Sequence, residues 1–239
     1  MSRPRVAEKT KLHEGSATGG STRLETGRRV GEPRWPALIA VLAVGGLFLA
    51  LPPGLSIGPR WLFPSAIGLL LVPTLVLHRS GHHRLDRWFG FAVTSVVTCE
   101  LVASVLRLVT ALPSRREGPK ALLVSAVSIW MSNVLVFALW YWRLDAGGPH
   151  GRDAQLGHVA GAFLFPQLTM LPDAKTGAGQ EHWSPNFFDY LFLAFNTSAA
   201  FSPTDTPVLA RWGKLLMMLQ SLISLTVLAL LAGRAVNIL

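Results

Sequence analysis

The sequence predicts an all-α protein: a polytopic transmembrane helical bundle of four N-terminal spans, a short C-terminal re-entrant or half helix, and a final span. Three observations lead there. Half of the 239 residues are hydrophobic and only 15% are charged, with a mean hydropathy of +0.40; sparse charge with clustered apolar residues is the composition of a membrane protein. The apolar residues fall into separate runs, several near the roughly 20 helical residues that a ~30 Å hydrocarbon layer requires. Trp35, Trp61, Trp88, Trp183 and Trp212 sit at the edges of those runs, where indole rings prefer the membrane–water boundary.

Residues 1–34 are rich in Ser, Thr, Gly, Lys, Arg and Glu without apolar periodicity, and are expected to form a disordered basic tail. The formal charge of +9 lies in this tail and in short loops. That placement fits anionic headgroups and orientation signals and argues against nucleic-acid binding, for which no fold signature is present. No small-residue cleavage motif follows the first apolar run, so it is expected to remain as an anchor. The single cysteine, Cys99, offers no intrachain disulfide.

Residues 35–142 make the four-span unit. The first span, 35–51, ends at Pro52-Pro53, and the second, 61–77, carries Pro64 and Pro73 as kink positions. The loop HRSGHHRLDR is basic; His78, His82 and His83 have only Asp86 as a nearby carboxylate, which does not make a metal site. The third span, 88–112, holds Glu100 and Arg107. Seven residues apart, they share a face about 10 Å along the axis, and ionisable groups at that depth face a bundle interior or a water-filled cavity. The fourth, 121–142, bears a stripe of Ser125, Ser128 and Ser132 with Asn133 beside it, the pattern of interhelical glue. Trp140-Tyr141-Trp142 and Arg143 read as an interface marker.

Residues 143–186 form a connecting segment in which 158–171, broken by Pro166, is expected to be a short interfacial helix. The last unit, 187–239, opens with an apolar stretch too short for a comfortable crossing. Ser202-Pro203-Thr204-Asp205-Thr206-Pro207 then breaks the helix, and 215–232 makes a full span. Irregular backbone at membrane depth survives only when sheltered by protein or water, so a half helix, a polar turn and a span read as a re-entrant loop.

The run DYLFLAFNTSAAFSPTDTPVLAR resembles the pore region of the two-transmembrane potassium-channel superfamily. Asp189, Tyr190, Leu191, Phe195, Thr197 and Asp205 fall on matching positions without a gap. The Gly-Tyr-Gly filter is replaced by Ser202-Pro203-Thr204, and the preceding threonines by Ala199 and Ala200. The resemblance covers about a fifth of the chain. It implies a pore helix over 187–201 and a constriction built from Asn196, Thr197, Ser198, Ser202, Pro203, Thr204 and Asp205. It further implies a homo-oligomer around that loop and a monovalent cation as the permeant. The motifs WYWRLDAGGP, FLFPQ, AFSPTDT and RAVNIL are also similar to a family of uncharacterised bacterial integral membrane proteins, which implies a multi-pass place in the inner membrane.

Lysine and arginine are dense in the tail and in 78–87 and sparse between the first two spans, which puts the N-terminus in the cytoplasm. Whether 158–171 crosses the bilayer, and from which side the loop enters, stay open at this level. No phosphate loop, HExxH, CxxC or nucleophile elbow is present, so neither an enzyme nor a cofactor is expected. The functional alternatives are a channel-like conductor with a non-standard filter and a non-conducting structural or accessory subunit. Glu100, Arg107, Asn133, Gln220 and Ser224 are the intramembrane polar candidates; the bilayer is the one partner common to both readings.

Overall fold

The computed structural model describes residues 32–55, 58–59, 61–79, 83–111, 118–154, 161–169, 183–200 and 206–236. Their regular structure is helical: α1 (Trp35–Leu49), α2 (Leu62–Arg79), α3 (His83–Ala111), α4 (Pro119–Leu144), α5 (Pro149–Ala154), α6 (Phe187–Ala200) and α7 (Arg211–Val236). Proline sets several boundaries. Pro36 and Pro119 occupy the first turns of α1 and α4, where a missing N–H costs nothing. Pro52 and Pro53 follow the end of α1, and Pro53 opens a 3-10 turn. Pro73 lies inside α2.

α4 is the central helix, packed against α1, α3, α6 and α7. α3, α4 and α7 are long and apolar enough to cross a bilayer; α1 and the apolar first part of α2 are shorter. About two-thirds of the apolar window of α4 is buried within the protein, against 28% for α7, whose Leu215, Met218, Leu222 and Leu225 face outward.

One end of the bundle gathers most of the chain's connections. Phe163 is its centre, with edge-on contacts to Tyr141 of α4 (5.2 Å), Tyr190 of α6 (6.2 Å) and Trp212 of α7 (5.9 Å). An antiparallel bridge ties Phe163 to Val208. Since Tyr190 and Trp212 meet at Phe163, and Thr197 and Ser198 meet Gln220 and Ser221 further along, α6 and α7 run in the same direction. By Val208 the chain is therefore back at the end from which α6 started.

Four expectations change. The stretch 78–87, read as a loop, is helical in its described residues, α2 running to Arg79 and α3 starting at His83, since no proline or glycine lies between His83 and Trp88 to break it. The described part of 158–171 is not an α-helix but an extended segment with a 3-10 turn at Pro166–Leu168, because Phe163 and Phe165 are drawn into the aromatic core. Trp140-Tyr141-Trp142 is not a boundary belt. Tyr141 and Trp142 are buried, with the Tyr141 hydroxyl on Gln220 Oε1 and the Trp142 indole N–H on the Glu32 carboxylate, while Trp140 donates to Thr98 Oγ1 at 2.8 Å. Trp35, Trp61 and Trp88, by contrast, are 57%, 66% and 73% exposed. Finally, Glu32 and Arg34, assigned to the tail, are ordered by partners more than 50 residues away. Residues 1–31 lie outside the described residues.

Candidate functional site

Two polar clusters are built into this frame. The deeper one joins α4, α6 and α7. Asn133 Nδ2 donates to Ser224 Oγ (2.9 Å) and to the Gln220 carbonyl (3.1 Å), and lies 3.5 Å from Ser198 Oγ. Gln220 Nε2 donates to the Ala194 carbonyl and to Ser198 Oγ, both at 2.7 Å, and its Oε1 accepts from Tyr141. All of these residues are buried. Polar side chains in an apolar bundle have few other partners, so each helix fixes the rotation of the other two. Interhelical hydrogen bonds at depth average about 0.6 kcal/mol and reach roughly 1–2. Gln220→Leu, which removes three of them, is expected to cost about 1–3 kcal/mol, read as a lower unfolding midpoint in an SDS titration of the detergent-solubilised protein.

The second cluster closes the end of the bundle near the starts of α1 and α3 and the end of α4. Asp145, just past α4, is fully buried. One carboxylate oxygen accepts the backbone N–H of Ala162 and the other the Tyr190 hydroxyl at 2.6 Å. The following turn takes Ala146, Gly147 and Gly148 through positive φ of 48°, 79° and 81°. At Gly148 a Cβ would lie 2.7 Å from the Arg143 carbonyl oxygen, so glycine is required there. The turn returns the chain as α5, and Arg152 reaches back into the core. Its Nη1 donates to the carbonyls of Trp142 and Asp145 (2.9 and 3.0 Å), and its Nη2 pairs with Glu32 Oε2 at 2.8 Å. Burial raises the Glu32 carboxyl above its ordinary value; the Arg152 charge and the hydrogen bonds from Trp142 and Arg152 oppose that.

Beside this pair, Arg34 Nη1 bonds Asp86 Oδ2 at 3.0 Å, and His150 Nε2 lies 2.9 Å from the same oxygen. Arg34 Nη2 is 2.8 Å from His150 Nδ1. Arg34 Nη1 is also 2.8 Å from His150 Nε2, so the imidazole packs against both terminal guanidinium nitrogens as well as the Asp86 carboxylate. These groups form part of the wall of a cavity of about 400 Å³, which Arg87 and Arg143 also line. Its remaining surface is mainly apolar, with Leu38 and Val41 from α1, Leu71 from α2 and Phe91 from α3.

The sequence-predicted residues divide cleanly. Asn133, Ser198, Gln220 and Ser224 meet in the deep junction. Thr197 is buried, its hydroxyl bonded to the Leu193 carbonyl at 2.8 Å, and Asn196 is half-buried, donating to the Phe192 carbonyl at 3.1 Å. Glu100 is 3% exposed; Arg107, on the same helix, is half-buried and is not part of either cluster. Ser202, Pro203, Thr204 and Asp205 lie outside the described residues. No group of three metal-ligating side chains occurs among the described residues. Sequence reading overlooked the end cluster. A usable signal was present: with alternating spans, residues 32–34, 86–87 and 143–152 all fall at one end of the bundle, and all three stretches carry ionisable groups.

No family model, curated protein or solved structure matches the chain.

Proposed function

We propose that the chain is a multi-pass integral membrane protein with a re-entrant C-terminal element, and that it serves as a non-conducting structural or accessory subunit. The observation behind this reading is the deep junction. The side-chain donors of Asn133 and Gln220, which a water-filled path would need on its wall, are bound instead to Ser198, Ser224 and helix carbonyls of the same chain. Membrane insertion is supported by the three long apolar helices, and re-entry by the geometry of α6. At 14 residues it spans about 21 Å at 1.5 Å per residue, and the chain then returns to meet Phe163 at Val208.

The same parallel course of α6 and α7 favours conduction as the second reading, because a pore helix and its lining helix share a direction in the channels that residues 189–205 resemble. A monovalent-cation pore of this kind needs the loop on a rotational axis. Purified protein in liposomes is therefore expected to give cation flux at the level of empty vesicles, unchanged by Asp205→Ala. Flux above that level, lowered by the substitution and accompanied by a symmetric oligomer in detergent, would replace the accessory reading with the channel one.

A further inference from the structure

We propose that the cavity at the end of the bundle binds one anionic membrane lipid, its phosphate between Arg143 and Arg87 and the start of an acyl chain along Leu38, Val41, Leu71 and Phe91. The inference rests on the membrane assignment above, but on neither of its functional readings.

The charges define the headgroup. Of the three guanidinium groups on the cavity wall, Arg34 is neutralised by Asp86 at 3.0 Å. Among the described residues, neither Arg87 nor Arg143 has a carboxylate within ion-pairing distance. The wall thus presents two positive charges without a paired anion. Arg143 is the more telling of the two. Its guanidinium lies over the Trp142 ring at 5.4 Å, and its buried Nε has no hydrogen-bond partner. A charged group taken out of water calls for a counter-charge and full hydrogen bonding. Arginine suits phosphate in particular, because its planar fork can donate two parallel bonds to one anion.

The fold also makes room for that guanidinium. It crosses α3 at Gly90, where even a methyl group would collide with it: a Cβ there would sit 1.9 Å from Arg143 Nη1. Glycine at 90 thus permits the position that aims Arg143 into the cavity.

The walls define the rest of the ligand. About 400 Å³ falls within the roughly 300–1,000 Å³ of small-molecule sites. A free inorganic anion would leave the apolar surface of Leu38, Val41, Leu71 and Phe91 unoccupied, whereas an acyl chain fills it. The height in the membrane agrees. The cavity lies beside the first turn of α1 and the last turn of α4, where the headgroup layer meets a helix that spans. Basic pockets between spans on the cytoplasmic side are sites for anionic headgroups, and the charge distribution of the loops puts this end there.

The test is lipid titration of the full chain by native mass spectrometry from a neutral detergent, with phosphatidylglycerol, phosphatidylcholine of the same acyl chains, and inorganic phosphate as probes. One phosphatidylglycerol is expected to bind per chain at least about tenfold more tightly than phosphatidylcholine, with no displacement by millimolar phosphate. Arg143→Gln and, separately, Gly90→Ala are expected to weaken phosphatidylglycerol about tenfold, the loss of a charge-assisted contact. The second variant keeps the charge and only moves it. Arg87→Gln, at an exposed position, checks the same contact without touching the packed interior, and Arg107→Gln should change nothing. Equal affinity for the two lipids, unaltered binding in Arg143→Gln and Arg87→Gln, or displacement of the lipid by phosphate overturns the proposal. Alkaline-carbonate extraction of native membranes tells the two failures apart. Protein that stays in the membrane but lacks the preference refutes the site alone, and protein that is extracted refutes the membrane assignment as well.

Discussion

Asp145→Ala is expected to lower the stability of the folded protein by about 3–5 kcal/mol. The carboxylate holds three chain segments at once: its own turn after α4, the Ala162 backbone and the Tyr190 hydroxyl on α6. Alanine leaves that buried N–H and that buried hydroxyl without an acceptor, and each orphaned donor costs roughly 1–3 kcal/mol. The void left by the carboxylate adds to the loss. Asp145→Asn should recover much of it, since its amide oxygen can still accept the Ala162 N–H and the Tyr190 hydroxyl can rotate to accept from Nδ2. Unfolding midpoints in SDS for the three proteins give the answer, and an alanine variant as stable as wild type would mean that this carboxylate is not the tie.

The second large effect is at Arg152. Arg152→Met removes the counter-ion of Glu32, two hydrogen bonds to carbonyls, and a cation lying 5.1 Å from the Tyr190 ring. Breaking one half of a buried pair costs about 3–5 kcal/mol, because the other charge is left uncompensated. Adding Glu32→Gln should restore part of that loss, and the double-mutant cycle isolates the pair. The variant should also acquire a distinctive pH dependence. Burial already raises the Glu32 carboxyl, and Arg152 is a main influence opposing the rise, so the single variant raises it further. A carboxyl with a folded pKa above its unfolded value contributes stability below the unfolded pKa and loses it as pH climbs through the folded one. Arg152→Met should therefore unfold more readily at pH 8 than at pH 5, more steeply than wild type, and the excess should vanish in the double variant. A steeper loss toward acid would be the wrong sign.

Much of the helical layout is legible from local chemistry. Pro52 and Pro53 mark an end that the structure keeps, and the apolar runs give α1 to α4, α6 and α7 within about five residues. The deep junction was half-legible. Asn133, Gln220 and Ser224 stand out as polar residues in apolar helices, yet nothing in their spacing says that they meet, since contacts 87 and 91 residues apart leave no periodic trace. The end cluster was hidden for a different reason. Glu32 and Arg34 follow a polar stretch and share its composition, and only the distant Arg152 and Asp86 distinguish them from it. Tyr141 and Trp142 misled because amphipathic rings suit a lipid headgroup layer and a hydrogen-bonded core equally well. Sequence position fixed their height, and tertiary packing fixed the direction they face.

The antiparallel seating of α4 against α6 and α7 has a consequence for biosynthesis. Asn133 leaves the ribosome 87 residues ahead of Gln220, which at roughly 5–20 residues per second is an interval of about 4–17 s. Until Ser198 follows, 65 residues later, its amide has none of its final acceptors. A nascent chain halted before residue 187 would present this exposed amide to quality control, so premature termination should yield rapidly degraded fragments and not a stable remnant of α1 to α5.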